Sequence, residues 1–307
     1  KWALLPFLPL GQPAAIYGDG DVGKSTLALP IVLTCLLPWI KNPWGWKPSL
    51  EPLKFLFLDW EWSRDDIRWR WQCLLRGYDL DATPLAYRRC RRPLSIEFEG
   101  IQRAIEKEEV QGLVIDSLGR ACGGDLNASE PVMTYFEALS QLRQKNGDPL
   151  TVLALGHNSK DRDAKERTLY GNQFFTTQHR SIWEMRKIQE EGEDYLDIGL
   201  FHKKKNRSAF FPPKAYRINW NTDSNPKTLT MEARNIQTSF ADQLSAFIQV
   251  KAALARGPKN VKDMAEETGR TESAIRTELS RHKTSFFKLP DGKWGVATPK
   301  EIPQEFR

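Results

Sequence analysis

Gly18-Asp19-Gly20-Asp21-Val22-Gly23-Lys24-Ser25 follows the pattern G-x-x-x-x-G-K-[ST], the loop that wraps nucleotide phosphates. Its setting fits. Pro13 to Tyr17 reads as a short buried strand before it, and Thr26 to Leu37 as an apolar helix after it. Glycines let backbone N–H groups turn inward around an anion, and the helix N-terminus adds the positive end of its dipole. Lys24 is expected to reach the β- and γ-phosphates and the Ser25 hydroxyl to ligate Mg²⁺, with Gly18 through Thr26 as the binding segment. A bound nucleoside triphosphate is the implication.

Outward from that loop, acids recur at strand ends. Lys54 to Asp59 is an apolar run of strand length closing on Asp59-Trp60-Glu61, and Gly112 to Ser117 closes on Asp116. Such uninterrupted runs suit parallel strands buried on both faces. Asp116 stands where a second carboxylate holds Mg²⁺. Glu61, after the second strand, is placed to orient and deprotonate a water in line with the γ-phosphate. Ser63 is a natural cap for a helix beginning near Asp65. Strands and helices alternate as far as Leu150–His157; a strand-rich stretch follows to Glu232, so an α/β fold with antiparallel strands added at one edge of a mostly parallel sheet is predicted.

The 307 residues allow one large or two modest domains. The longest apolar run, Leu27 to Ile40, contains Pro30 and Pro38 and is too short to span a bilayer. The four cysteines are scattered with no C-x-x-C pair, so reduced thiols and a cytoplasmic setting are expected, with neither zinc nor disulfides. The net charge of +6 permits an anionic partner without requiring one. The chain opens at Lys1 without a methionine, so a preceding segment is expected. Of the eleven tryptophans, those gathered at 39–46 and 60–71 are read as core or subunit interface in preference to base-stacking platforms.

The order of Gly18–Ser25, Asp59-Trp60-Glu61, Asp116-Ser117, His157-Asn158-Ser159-Lys160, Tyr170-Gly171-Asn172 and Lys205-Asn206-Arg207 resembles the RecA-like hexameric ATPases. The likeness is closest to the RepA-type plasmid helicases and the DnaB-type replicative helicases, and it covers residues 1–235. It implies that His157 senses the γ-phosphate and that Lys205 and Arg207 reach a neighbouring subunit's nucleotide, with Arg180 ranked below Arg207. It also implies that segments 119–130 and 161–175 meet single-stranded DNA, through Arg120, Lys160, Arg162, Lys165 and Arg167. Two departures stand out. Asp19 and Asp21 occupy loop positions where small residues are commoner, and Ser208-Ala209 replaces the Asn-Gly that often follows the basic finger.

After Thr238 the pattern changes. Helices are predicted over 242–254, 261–268 and 272–282, then a hairpin across Pro290-Asp291-Gly292. Together they resemble a winged helix-turn-helix over 236–307. Its nucleic-acid candidates are Arg270, Arg276 and Arg281 on or beside the third helix and Lys293 on the hairpin; protein docking is the other use of such a domain. The expectation is an ATP- and Mg²⁺-dependent, ring-forming DNA helicase or translocase of plasmid, phage or mobile-element replication, a homo-oligomer with a hexamer favoured. An ATP-switched DNA-binding regulator or loader is the alternative.

Overall fold

The computed structural model describes residues 1–61, 63–159, 168–190, 192–205, 210–283 and 285–296. The chain divides into two compact units, Lys1–Arg234 and Asn235–Arg307. The first begins with strands Trp2–Leu5 (β1), Leu8–Pro9 (β2) and Pro13–Gly18 (β3), then helix Lys24–Leu36 (α1) and strand Lys47–Pro48 (β4). Phe55–Asp59 (β5), Arg64–Gly77 (α2), Ala86–Arg89 (β6), Leu94–Glu108 (α3), Gly112–Asp116 (β7), Leu118–Cys122 (α4), Ser129–Gln141 (α5) and Thr151–His157 (β8) follow in alternation. Gln173–Gln178 (α6), Ser181–Ile188 (β9), Tyr195–Lys205 (β10), Lys214–Asn221 (β11) and Thr228–Arg234 (β12) complete it.

Nine strands form one sheet in the order β12-β11-β10-β9-β3-β8-β7-β5-β6. From β9 to β6 neighbours are parallel, while β9 to β12 are antiparallel. The β5 run alternates faces. Phe55 and Phe57 join the core beneath α1 and α2, whereas Leu56 and Leu58 join the core beneath α3, α4 and α5. Burial on both sides is why the run contains no polar residue before Asp59. Helix α1 continues through Pro30, and the Thr34 hydroxyl donates to the Pro30 carbonyl at 2.7 Å.

The Trp- and Pro-rich segment after α1 is core. Asn42, buried, donates to the carbonyls of Trp39 and Trp46 at 2.7 Å each and accepts from the amides of Trp44 and Trp46. That turn aims two indoles at the added strands: Trp44 Nε1 donates to the Met231 carbonyl and Trp46 Nε1 to the Tyr216 hydroxyl, both at 2.7 Å. The antiparallel extension is thereby pinned beside α1 by buried aromatic surface with its polar atoms satisfied.

Three boundaries differ from expectation. Segment 119–130 is not wholly loop, because α4 takes Leu118–Cys122 and buries Leu118, Ala121 and Cys122. Helix α6, capped by the Asn172 side chain on the Phe174 amide at 3.0 Å, is too short to leave a periodic pattern. The predicted helix over 242–254 is two pieces, a 3₁₀ turn at Ala241–Gln243 and a helix at Ala246–Ala255 capped by Ser245.

The second unit holds Ile236–Ser239 (α7), Ala246–Ala255 (α8), Val261–Thr268 (α9), Glu272–Arg281 (α10) and the hairpin Phe286–Lys288 (β13) with Trp294–Val296 (β14). Val250, Leu254, Met264, Ile275, Leu279 and Phe286 form its own core. Ser245, Asn260 and Thr271 cap α8, α9 and α10, and Gly269 ends α9 at φ +66°, a left-handed turn. Among the described residues no helix is long and apolar enough to cross a membrane.

Candidate active site

Sheet register sets the site. Gly18 on β3 lies opposite His157 on β8, and Asp116 on β7 lies opposite Asp59 on β5. The carboxyl ends of four adjacent parallel strands therefore converge, the usual place for ligands in an open α/β sheet. Gly18 is required there because a Cβ on it would stand 2.3 Å from the Met185 carbonyl oxygen of β9. Gly23 enters α1 at φ +85°, a conformation costly for any residue with a side chain. A pocket of about 320 Å³ opens over the loop, lined by Gly20 to Thr26 and by Glu61, Asp116 and His157.

Lys24 is buried, and its ammonium donates to the carbonyls of Gly18 at 3.1 Å and Asp19 at 2.6 Å. Burial pulls its pKa below the usual lysine value, against the nearby charges of Asp116, Glu61, Asp19 and Asp21. Asp116 is buried deeper, and its pKa is raised to about 7 by burial, the Ser25 hydroxyl bonded to it acting in the opposite direction. Its Oδ2 is buried with no hydrogen-bond partner among the described residues.

An orphaned carboxylate oxygen beside a serine hydroxyl is a fit for a hard cation. Among the described residues no group of three His, Cys, Asp or Glu side chains could hold a metal alone. Mg²⁺ keeps several waters and is shared between few protein oxygens and the substrate's phosphates. Ser25 and Asp116 would hold it, and it would supply charge neutralisation on the β- and γ-phosphates.

Asp59 and Glu61 divide the work. Asp59 is fully buried: its Oδ1 accepts from the Glu61 amide at 2.7 Å and from Arg89 at 3.2 Å, and its Oδ2 accepts from the Tyr87 hydroxyl at 2.8 Å. It is a structural acid that positions the next turn. Glu61 projects into the pocket and accepts a hydrogen bond from the Ser117 hydroxyl, with His157 Nε2 3.8 Å from Oε1, an ion-pair distance. His157, the Ser117 hydroxyl and Arg120 hold its pKa down to about 2 against the effect of burial.

The opposite wall was not foreseen. Arg70 on α2 donates to the Thr26 hydroxyl at 3.0 Å and lies 5.7 Å over the Trp220 ring, and Trp220 in turn stacks on Trp69 at 5.9 Å, 2° from parallel. Leu196, Ile218 and Trp220 of the antiparallel strands and Gln189 after β9 line the same pocket. These residues are distant in sequence and belong to no local motif; the one available signal was the arginine-rich face of α2.

The other predicted residues scatter. Arg120 on α4 approaches the Trp60 carbonyl at 3.5 Å, beside Glu61. Lys204, which was not among the predicted residues, donates to the carbonyls of Thr177 and His179 at 2.8 Å each, closing the end of α6. Lys205 ends β10, but its side chain and Lys160, Arg162, Lys165, Arg167 and Arg207 lie outside the described residues. In the second unit Arg270 donates to the Gln249 side chain at 2.5 Å and the Leu244 carbonyl at 3.1 Å. Arg276 pairs with Glu272 at 2.7 Å, Arg281 with Glu278 at 3.0 Å and Lys293 with Asp291 at 3.7 Å.

A phosphate loop between strand and helix, a buried aspartate with an unpartnered oxygen two strands away and a glutamate between them in sequence fit a P-loop ATPase core. Residues 1–163 match the family model described as AAA domain (AAA_25). The match covers more than half of the 307 residues, and the chain belongs to that family. No curated protein matches the chain.

Proposed function

We propose that this protein is an ATP-hydrolysing, ring-forming DNA translocase or helicase. The observation that supports hydrolysis is that Glu61, bonded by the Ser117 hydroxyl, lines the same pocket over the phosphate loop as Asp116. ATP would lie with its phosphates on Gly18–Thr26, and Ser25 and Asp116 would hold Mg²⁺. Its base lies against Trp220 and Arg70, an indole face and a guanidinium that stack with any purine. Glu61 orients the attacking water. At a pKa of about 2 it is too weak a base to take a proton near neutrality. The γ-phosphate's negative charge and the withdrawal of Ser117 or His157 would raise it on substrate binding. His157 then faces the γ-phosphate, and Lys205 and Arg207 serve a neighbouring copy's nucleotide.

For translocation, support comes from the bracing of the two segments assigned to DNA. The Asn172 amide donates to the Leu126 carbonyl at 2.7 Å and its side chain to Asn127 and Ser129 at 3.1 Å. Both segments leave the site end of the sheet, after β7 and β8. The second unit, read as a winged helix, would meet duplex DNA through Arg276, Arg281 and Lys293. The alternative of an ATP-switched regulator is favoured by the polar face of α10, where Ser273, Arg276, Thr277, Ser280 and Arg281 line one open depression. A forked-duplex unwinding assay beside a salt titration of duplex binding separates the two readings. ATP-driven strand separation supports the translocase; tight duplex binding without unwinding supports the regulator; neither activity removes both.

A further inference from the structure

The antiparallel strands roof the phosphate loop with apolar side chains. A Cβ on Gly23 would stand 3.0 Å from Leu196 Cδ2 and 3.7 Å from Ile218 Cδ1. Leu196 lies opposite Ile218, and the pairing of Asp197 with Ile188 sets Gln189, one residue further along, beside Leu196. Gln189, Leu196 and Ile218 therefore form one cross-strand row on the face that meets the loop. All three line the pocket together with Trp220 and Arg70. The row offers a nucleotide apolar surface, with hydrogen bonding confined to its Gln189 end. Gln189 is the sole side-chain amide among the described residues lining the pocket. It is exposed, and its Nε2 reaches the Glu193 carbonyl only at 3.4 Å, a long bond that a better acceptor displaces. Arg70, the other polar side chain at this end, is turned to the Thr26 hydroxyl.

We propose that Gln189 selects the base, making the pocket specific for a 6-aminopurine nucleoside triphosphate. The proposal rests on the reading above that sets the base against Trp220 and Arg70. A side-chain amide offers an acceptor oxygen and a donor nitrogen in one plane. The N6/N7 edge of adenine is its complement, an amino donor beside a ring-nitrogen acceptor, so two bonds form. The same edge of guanine presents two acceptors, O6 and N7, and one of them faces the amide oxygen. Because Gln189 stays open to water, the discrimination belongs at the lower end of what such a pair provides.

Dissociation constants of ATP, GTP and 7-deaza-ATP are measured on the full chain with Mg²⁺. Competition against a ribose-labelled fluorescent ATP analogue supplies them without any need for turnover. The wild type is expected to prefer ATP over GTP, and over 7-deaza-ATP, by about fivefold or more, the lower end of a bidentate amide–base pair. Gln189→Ala brings both ratios close to one by weakening ATP. Gln189→Arg, a donor-only fork that suits guanine O6 and N7, shifts the preference toward GTP. Trp220→Ala weakens ATP and GTP by similar factors and keeps the preference. The proposal is overturned by a wild type that binds GTP or 7-deaza-ATP as tightly as ATP. It is equally overturned by a Gln189→Ala or Gln189→Arg chain as selective for ATP as the wild type. If Trp220→Ala leaves both constants unmoved, the placement of the base fails and the proposal with it. Weaker binding in Trp220→Ala beside an unchanged ratio in Gln189→Ala leaves that placement standing and removes Gln189 alone.

Discussion

Asp59 and Glu61 are separated by one residue and have opposite fates. Asp59 has its oxygens taken by Tyr87, Arg89 and the Glu61 amide, whereas Glu61 opens onto the pocket over the phosphate loop. Glu61→Gln keeps the shape and the Ser117 contact but loses the charge proposed to orient water. Its turnover is expected to fall by roughly 10²–10⁴, the usual weight of a general acid–base group, with nucleotide affinity close to wild type in a fluorescent-analogue titration. Full turnover would remove Glu61 from the mechanism. Asp116 makes a second residue-scale prediction. Its pKa stands near 7 in the folded protein, above the ordinary carboxyl value. Between about pH 4 and 7 the folded state therefore holds a proton that the unfolded chain has released, so this group lowers stability as pH rises through that window and by a constant amount above it. Asp116→Asn removes the penalty. Without Mg²⁺ or nucleotide, the variant should melt several degrees higher than wild type at pH 8, with little difference at pH 4; equal melting at pH 8 would contradict the assignment. A group that weakens the empty fold and has an unsatisfied oxygen is one kept for its ligand.

At the scale of elements, what was legible in the sequence was local. The phosphate loop, the runs ending in Asp59 and Asp116, the Ser63 cap and the hairpin turn at Pro290–Gly292 each state their structure within a few residues. Apolar runs of strand length that end in an acid read as strands buried on both faces. The stack of Arg70 and Trp220 was illegible because it depends on strand order: β9 lies beside β3, and β10 and β11 add in turn beyond it. The same strand order explains why Trp44 and Trp46 are buried, since their partners Met231 and Tyr216 lie far along the chain. Two predictions belong here. Trp220→Ala should raise KM for ATP by about tenfold with kcat little changed, as expected for the loss of roughly 1–3 kcal/mol of base stacking felt equally in ground and transition states. A fall in kcat at unchanged KM would assign Trp220 elsewhere. Trp46→Ala removes a fully buried indole and its bond to Tyr216. It should cost about 3–5 kcal/mol, read as a lower denaturant midpoint with the added strands losing protection from hydrogen exchange first.

At the scale of the whole molecule, the site as described is rich in acids and short of cations over the γ-phosphate. Lys24 is the ammonium at the loop, and Glu61, Asp116, Asp19 and Asp21 are the charges around it. A phosphoryl group in transfer carries negative charge on three oxygens, and the planar fork of an arginine is the group that best spreads over it. Arg70 lies beside the site but bonds to Thr26, toward the base side of the pocket. Lys205 and Arg207 are the remaining basic residues proposed to serve ATP, and Lys205 pairs with Ser181, which pairs with Ala14 near the start of β3, at the end of the sheet away from the phosphate loop. A cation from the far end of the sheet serves a nucleotide best when it comes from another copy. Particle mass measured with and without ATP, Mg²⁺ and single-stranded DNA should therefore show assembly, and turnover per chain should rise with protein concentration through the same range. Mixing Arg207→Ala chains, intact in their own phosphate loop, with Lys24→Ala chains, intact in their own finger, should recover part of the turnover that each lacks alone, because some interfaces in the mixture pair a good loop with a good finger. A strict monomer with full turnover under every condition, or no recovery on mixing chains that do assemble, would leave the site complete within one chain and the shared-site mechanism without support.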